Sequence, residues 1–155
     1  MREIINRFKI LLEQNKINEL KEGAGILPVA LSTKRASIPL RSRHVVEGST
    51  WCLWGGKVDS NEQPKQAAIR ELKEESGYSG KIMLIPLLIN ERKDITFFNY
   101  LGIIEEEFSP KINWETQDFK WVDFEELLSI EPKHSGLKKL LKDSTSLKII
   151  RKYMV

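Results

Sequence analysis

Apolar positions recur with two periods along this chain. Ile4, Ile5, Phe8, Leu11 and Leu12 keep helical spacing, which predicts an amphipathic helix over residues 2–20 closed by Gly23. Residues 25–31, 81–90 and 95–104 are largely apolar and predict strands, the last two joined by a turn at 91–94. Residues 37–43 predict a short strand that Pro39 confines to an edge or a bulge. Residues 44–50 read as a loop and residues 119–124 as one more strand. Residues 125–130, 136–142 and 147–153 carry short helical patterns. Strands and helices interleave, so the pattern predicts one sheet covered by helices. Within 95–104, Phe98 and Tyr100 alternate with Phe97 and Asn99. One face therefore belongs to the core and the other is free to line a cleft.

The sharpest local pattern spans residues 55–78, GGKVDSNEQPKQAAIRELKEESGY. Pro64 suits a first helical turn, where its missing N–H costs nothing. Gly77 suits the left-handed position after a helix end. On that helix, at about 100° per residue, Glu75 lies about 40° to one side of Glu71 and Glu74 about 60° to the other. Three carboxylates share one stripe, apart from the apolar stripe of Ile69 and Leu72. Arg70 precedes Glu74 by four residues and can pair with it. Glu62 adds an acid on the preceding loop and can engage Arg70, leaving the other acids for a metal. In a concave site such a stripe needs a cation or raised pKa values. Hard oxygen ligands at this density suit Mg²⁺ or Mn²⁺, which also bind substrate phosphates. Gly55 and Gly56 let backbone approach a ligand closely. A carbonyl there can add a metal ligand, and Lys57 can meet a phosphate.

Composition narrows the class without changing that picture. The chain has 155 residues and a net charge of +3, ordinary for one folded domain. Residues 131–155 hold seven Lys/Arg against two acids, so the basic excess sits at the C-terminal end. The longest apolar runs, 24–31 and 82–89, are far short of the ~20 residues a membrane-spanning helix needs. Cys52 is the single cysteine, which excludes an internal disulfide and a Cys-rich zinc site. The N-terminus lacks the shape of a signal peptide, and a cytoplasmic location is the expectation.

The spacing of residues 56–78 resembles the Nudix box, G-x5-E-x7-R-E-U-x-E-E-x-G-U, with U a bulky apolar residue. Gly56, Glu62, Arg70, Glu71, Leu72, Glu74, Glu75 and Gly77 fill the fixed positions, and Tyr78 stands at the last U. Upstream, Trp51-Cys52-Leu53-Trp54-Gly55-Gly56 is similar to the family's W-x-x-P-G-G, with Trp54 in the place of proline. The resemblance covers roughly residues 22–143 and implies an α/β/α sandwich around a mixed sheet. Residues 1–21 would add an N-terminal helix, and 144–155 a basic C-terminal helix, to a single domain. It further implies hydrolysis of a nucleoside diphosphate linked to another group, by water attack on phosphorus with Mg²⁺ or Mn²⁺. Glu71 and Glu75 would then be the core metal ligands, Glu74 a further ligand, and the Gly56 carbonyl the completing one. Arg70 and Glu62 would orient the helix. The base would be a box glutamate or a later loop glutamate, for which Glu115 is the candidate.

Substrate contacts are less specified. Arg41, Arg43 and His44 could touch phosphates or a base, though exposed loop charges are the commoner case. Trp51 and Trp54 could stack on a base, though tryptophan more often packs in a core. The basic tail could hold RNA electrostatically. It lacks interleaved aromatics, so solvated helix faces are the favoured reading. Three functions stay open: a hydrolase of a small nucleotide, a hydrolase of an RNA 5′ end, and a non-catalytic nucleotide sensor. The intact box favours an enzyme. The N-terminal helix fits either a homodimer contact or a cap on the sheet. Signatures of particular subfamilies are missing, including a proline near residues 93–95, so the substrate is not named.

Overall fold

The computed structural model describes the backbone of residues 1–18 and 21–155, and the side chains of residues 1–10 and 21–155. The chain runs α1 (Arg2–Asn18), β1 (Lys21–Ala30), β2 (Ala36–Arg41), β3 (Trp54–Lys57) and α2 (Pro64–Ser76). It continues with β4 (Met83–Glu91), β5 (Ile95–Ile104), β6 (Thr116–Val122), α3 (Phe124–Ser129), α4 (Ser135–Lys142) and α5 (Ser144–Met154). The strands form one sheet in the order β4-β5-β1-β2-β6, with β3 pairing on β1. The β1–β5 pair is parallel and the others are antiparallel. This is the expected mixed sheet between helical layers.

Each face of the sheet buries its own core. Ala24 and Ile26 of β1 and Tyr100 of β5 pack with Ala67, Ala68 and Leu72 of α2. Leu27, Val29, Leu101 and Ile103 point the other way, onto Leu127 of α3, Leu137 and Leu140 of α4, and Ile150 of α5. The period-2 alternation of β1 and β5 thus feeds two helical layers at once, as strands buried on both faces do.

Three expectations are corrected. Gly23 does not close the first helix, because it already lies in β1, opposite Lys57. The side chains of Leu11 and Leu12, and residues 19–20, lie outside the described residues. Residues 1–10 are exposed throughout, so they do not cap the sheet. Pro39 sits in an interior strand, not at an edge. Its carbonyl accepts the N–H of Cys52 at 3.1 Å, so its missing donor faces the side where β1 has already left β2. Residues 54–57 form a strand that the hydrophobic pattern did not single out.

Helix α2 forms as its punctuation predicts. Gln63 caps it with a reciprocal Gln63–Gln66 box, Pro64 opens it, and Gly77 closes it at φ 79° with its N–H on the Lys73 carbonyl. It packs on β1 and β3, which fixes its acidic face against Gly55 and Gly56.

Candidate active site

Helix α2 presents its glutamates to β3 at very short range. A Cβ built on Gly56 would lie 2.5 Å from Cδ of Glu71, so only glycine lets that carboxylate come so close. Glu75 is 8% exposed, and its Oε2 accepts the N–H of Gly55 at 3.2 Å. Burial raises the Glu75 carboxyl to about 8, helped by repulsion from Glu71 and Glu115. Burial also raises Glu71, against the pull of Arg70. Glu115 shares a cavity of about 210 Å³ with Glu75, Arg41 and Gly55. The loop holding Glu115 is pinned by the Ser42 N–H on its carbonyl, at 2.8 Å, and by its own N–H on Asn113 Oδ1, at 2.9 Å.

Arg70 is the internal counter-ion. Its Nε and Nη2 donate to both oxygens of Glu62 at 2.8 and 3.0 Å, and Nη2 also donates to the Lys57 carbonyl at 2.9 Å. Its Nη1 donates to Glu71 at 3.1 Å and to the more exposed Glu74 at 3.2 Å. Hydrogen bonding to Glu62 holds the guanidinium firmly charged and holds Glu62 below the usual carboxylate range. Arg70 therefore does not leave Glu71 and Glu74 free. Among the described residues no three acids converge into a ready-made metal cage. We expect Arg70→Ala to cost about 2 kcal/mol of stability, through several lost charged hydrogen bonds. Arg70→Lys should restore little, because one ammonium cannot span a forked set of acceptors. Thermal melts of both variants check this; full rescue by lysine would overturn it.

The backbone register corrects one ligand expectation. Gly56 is paired with Ala24, and the Val58 N–H donates to the Glu22 carbonyl at 2.9 Å, so residues 56 and 58 turn their polar groups toward β1. Gly55 turns its own the other way, with its N–H on Glu75 and its carbonyl on the same side. The carbonyl that faces the acids is that of Gly55, not Gly56.

A second cavity, of about 280 Å³, adjoins the first through Arg41, Cys52, Leu53, Gly55 and Gly56. Phe97 and Asn99 line it while Phe98 and Tyr100 pack toward α2, as the alternation in β5 predicts. Asn90, Arg92, Glu47 and His134 complete its polar wall and were not singled out from sequence. Glu47 binds the α4 N-terminus: its carboxylate accepts from the N–H and Oγ of Ser135 and lies 2.9 Å from His134 Nε2. His134 Nδ1 accepts the Gly136 N–H, and burial holds the imidazole below its usual pKa. Burial pushes the Cys52 thiol up to about 12, which makes it a poor nucleophile.

Of the expected substrate contacts Arg41, Arg43, His44, Trp51, Trp54 and Lys57, Arg41 lines these cavities and the others do not. Trp51 is 6% exposed, packed in the core with α4 and α5. Trp54 is fully buried, with Nε1 on Ser37 Oγ at 3.1 Å. Arg43 and Lys57 line neither cavity. In the basic tail, Lys133 is buried with Nζ on the carbonyls of Leu128 and Ile130, at 2.8 and 2.6 Å. Lys138, Lys139, Lys142, Lys148, Arg151 and Lys152 are exposed.

The site thus sets an acid-bearing helix against a glycine strand, beside a cavity of about 280 Å³. The family model of the NUDIX domain matches residues 20–144, and the chain belongs to the NUDIX domain family, which generally uses divalent metal ions. A protein of Mycobacterium tuberculosis provisionally named 8-oxo-dGTP diphosphatase 3 is 31% identical over 97 residues. That match covers 58% of this chain and 44% of the relative, so the chain spans less than half the length of the curated relatives it matches. A Nudix hydrolase from M. smegmatis superposes with a TM-score of 0.70 at 21% identity, over 86% of this chain and 84% of that one. The MutT protein of Methanosarcina mazei gives 0.63 at 20% identity, over 85% and 93%. An Ap4A hydrolase of C. elegans gives 0.61 at 22%, over 86% and 94%. These structures share the fold. No helix among the described residues is long and apolar enough to cross a membrane.

Proposed function

We propose that this protein hydrolyses the pyrophosphate link of a nucleoside diphosphate joined to another group, by water attack on phosphorus, with Mg²⁺ or Mn²⁺. The observation that carries this reading is the half-buried Glu71 packed against Gly56 beside the buried Glu75, which shares with Glu115 a cavity that adjoins a second one of about 280 Å³. Their donor set is hard oxygen throughout, which fits these ions by type. Glu71 and Glu75, with the Gly55 carbonyl and the more exposed Glu74, would hold the ion. When bound, it would offset the charge on the acids and on the pyrophosphate.

The chain supplies the rest. Arg41 stands where the two cavities meet, with its Nε on the Val46 carbonyl at 3.1 Å. Its remaining donors suit a phosphate oxygen. Glu115 is the candidate base, because its loop is pinned and its cavity is shared with Glu75. Phe97 and the apolar walls around it take the nucleoside. The smaller substrate is favoured over an RNA 5′ end, since the exposed basic face of α4 and α5 carries no aromatic platform.

The test is phosphate release from nucleoside triphosphates, ADP-ribose, dinucleoside polyphosphates, NAD and 5′-triphosphate RNA, with and without Mg²⁺ or Mn²⁺. Metal-dependent turnover of one nucleotide class is the expected result. Tight binding of one compound with turnover of none would replace the hydrolase reading with a sensor.

A further inference from the structure

The wall of the second cavity contains a buried polar group with nothing to bind. Asn90 is 4% exposed, and its Oδ1 is the buried side-chain atom without a hydrogen-bond partner among the described residues. Apolar side chains, Leu53, Ile95, Phe97 and Leu137, share the lining with the polar groups already described. An orphaned buried amide is a standing cost, and native structures carry few of them.

The local backbone explains how it got there. The β4–β5 register shifts between Pro86 and Ile89, a bulge that re-aims the residues after it. The bulge is held by Leu88, whose N–H donates to Ser146 Oγ and whose carbonyl accepts Asn99 Nδ2, both at 2.9 Å. That second bond fixes the orientation of Asn99, so its Oδ1 acceptor is turned to the other side. Asn90 is paired with Phe97, and Asn99 lies two residues along β5 on the same face. Diagonal neighbours of this kind sit about 7 Å apart. On the other side of β5 from Asn90, the Phe97 ring lies over β1: a Cβ on Gly23 would come within 2.7 Å of its ring, and one on Gly25 within 3.0 Å. The glycines let the ring drop onto the backbone and offer its other face as a stacking floor.

We infer that Asn90 is the residue that selects the base, and that the base it selects is of the guanine type. The inference rests on the proposed function for the ligand being a nucleotide. A stacked base would meet a free carboxamide, one donor beside one acceptor, and next to it the fixed acceptor of Asn99. The pairing edge of guanine runs acceptor, donor, donor. Its O6 takes Asn90 Nδ2, its N1–H satisfies Asn90 Oδ1, and its amino group reaches Asn99. Adenine can satisfy a rotated Asn90 but leaves a C–H opposite Asn99. Uracil and cytosine set a carbonyl oxygen against it.

Calorimetric titration with GMP, AMP and UMP tests this without relying on turnover. GMP should bind about ten-fold tighter than AMP or more, the size of one good bidentate base contact. In Asn90→Leu and Asn90→Ala the ratio should fall to near parity. Asn90→Leu should not lower the melting temperature, because an apolar side chain of similar size replaces an amide that has no partner. Equal binding of GMP and AMP by the unaltered protein, or no binding at millimolar concentration, would overturn the inference. So would a ratio that survives both substitutions, or a marked loss of stability in Asn90→Leu. A guanine preference in a protein that cleaves nothing would remove the hydrolase reading and leave this one standing.

Discussion

Glu75→Gln should lower metal-dependent turnover by about a thousand-fold or more while raising the melting temperature of the metal-free protein above neutral pH. Both effects come from one buried charge. Burial raises the carboxyl from its ordinary 4.5 to about 8 in the folded chain, so the folded state holds that proton more tightly than the unfolded state does. The stability this contributes is complete below pH 4.5. It falls as pH rises from 4.5 to about 8, and above 8 the protein carries a buried carboxylate. Glutamine keeps the volume and an oxygen for the Gly55 N–H, but never ionises. At pH 8.5 the variant should gain on the order of 2–4 kcal/mol, which at this length is roughly 5–10 °C. Mg²⁺ should raise the melting temperature of the unaltered protein at that pH and leave the variant unmoved. Melts across pH 5–9, with and without Mg²⁺, check the first effect, and phosphate release checks the second. A variant of unaltered rate, or one with the same dependence of stability on pH, would sink the assignment of Glu75.

This trade follows from how the site is built. Arg70 donates to Glu62, Glu71 and Glu74 from one side, whereas Glu75 among the described residues accepts only the Gly55 N–H, with the Arg41 charge across the cavity. The chain thus leaves its most deeply buried acid the least compensated, and bound cation and substrate are what would complete the balance.

The parts of this arrangement that were legible in the sequence are those set by one element at a time. Helix α2 carries its own cap, its Pro64 and its Gly77, so its range and its acidic stripe follow from 3.6-residue periodicity alone. The face alternation of β5 was readable for the same reason. The second cavity was not, because Arg41, Asn90, Phe97 and His134 come from four separate stretches and converge only through the sheet order. Strand β3 escaped notice because two glycines in four residues have poor strand propensity, and pairing with β1 overrides it. The two tryptophans could have been floor or core. Only burial separates these, and it puts both in the core while Phe97, over Gly23 and Gly25, takes the floor. The choice between the carbonyls of Gly55 and Gly56 depends on which residue faces β1, a register that a one-residue slip would invert.

That register yields the second large effect, a pair of alanine substitutions one residue apart with opposite consequences. Neither Gly55 nor Gly56 has a positive φ, so alanine is not strained at either, and what its Cβ meets decides the outcome. At Gly55 the Cβ would lie 2.3 Å from the Ala24 carbonyl oxygen and 2.6 Å from the Gly25 Cα, both backbone atoms of β1. The strands would have to part, and Gly55→Ala should cost about 3 kcal/mol or more, a fall of roughly 10 °C. At Gly56 the Cβ would meet the carboxylate of Glu71, the far end of a flexible side chain. Glu71 can swing aside, so Gly56→Ala should cost about 1 kcal/mol or less. The carboxylate would then sit about an ångström from its working position, and turnover should fall about a hundred-fold. Adding Glu71→Asp to Gly56→Ala should recover part of that rate, because the shorter acid makes room, although Glu71→Asp alone lowers it. Melts and rates for the four variants read this directly. If Gly56→Ala proved as unstable as Gly55→Ala, or kept its full rate, the close approach of Glu71 to β3 would not be what places the acid for catalysis.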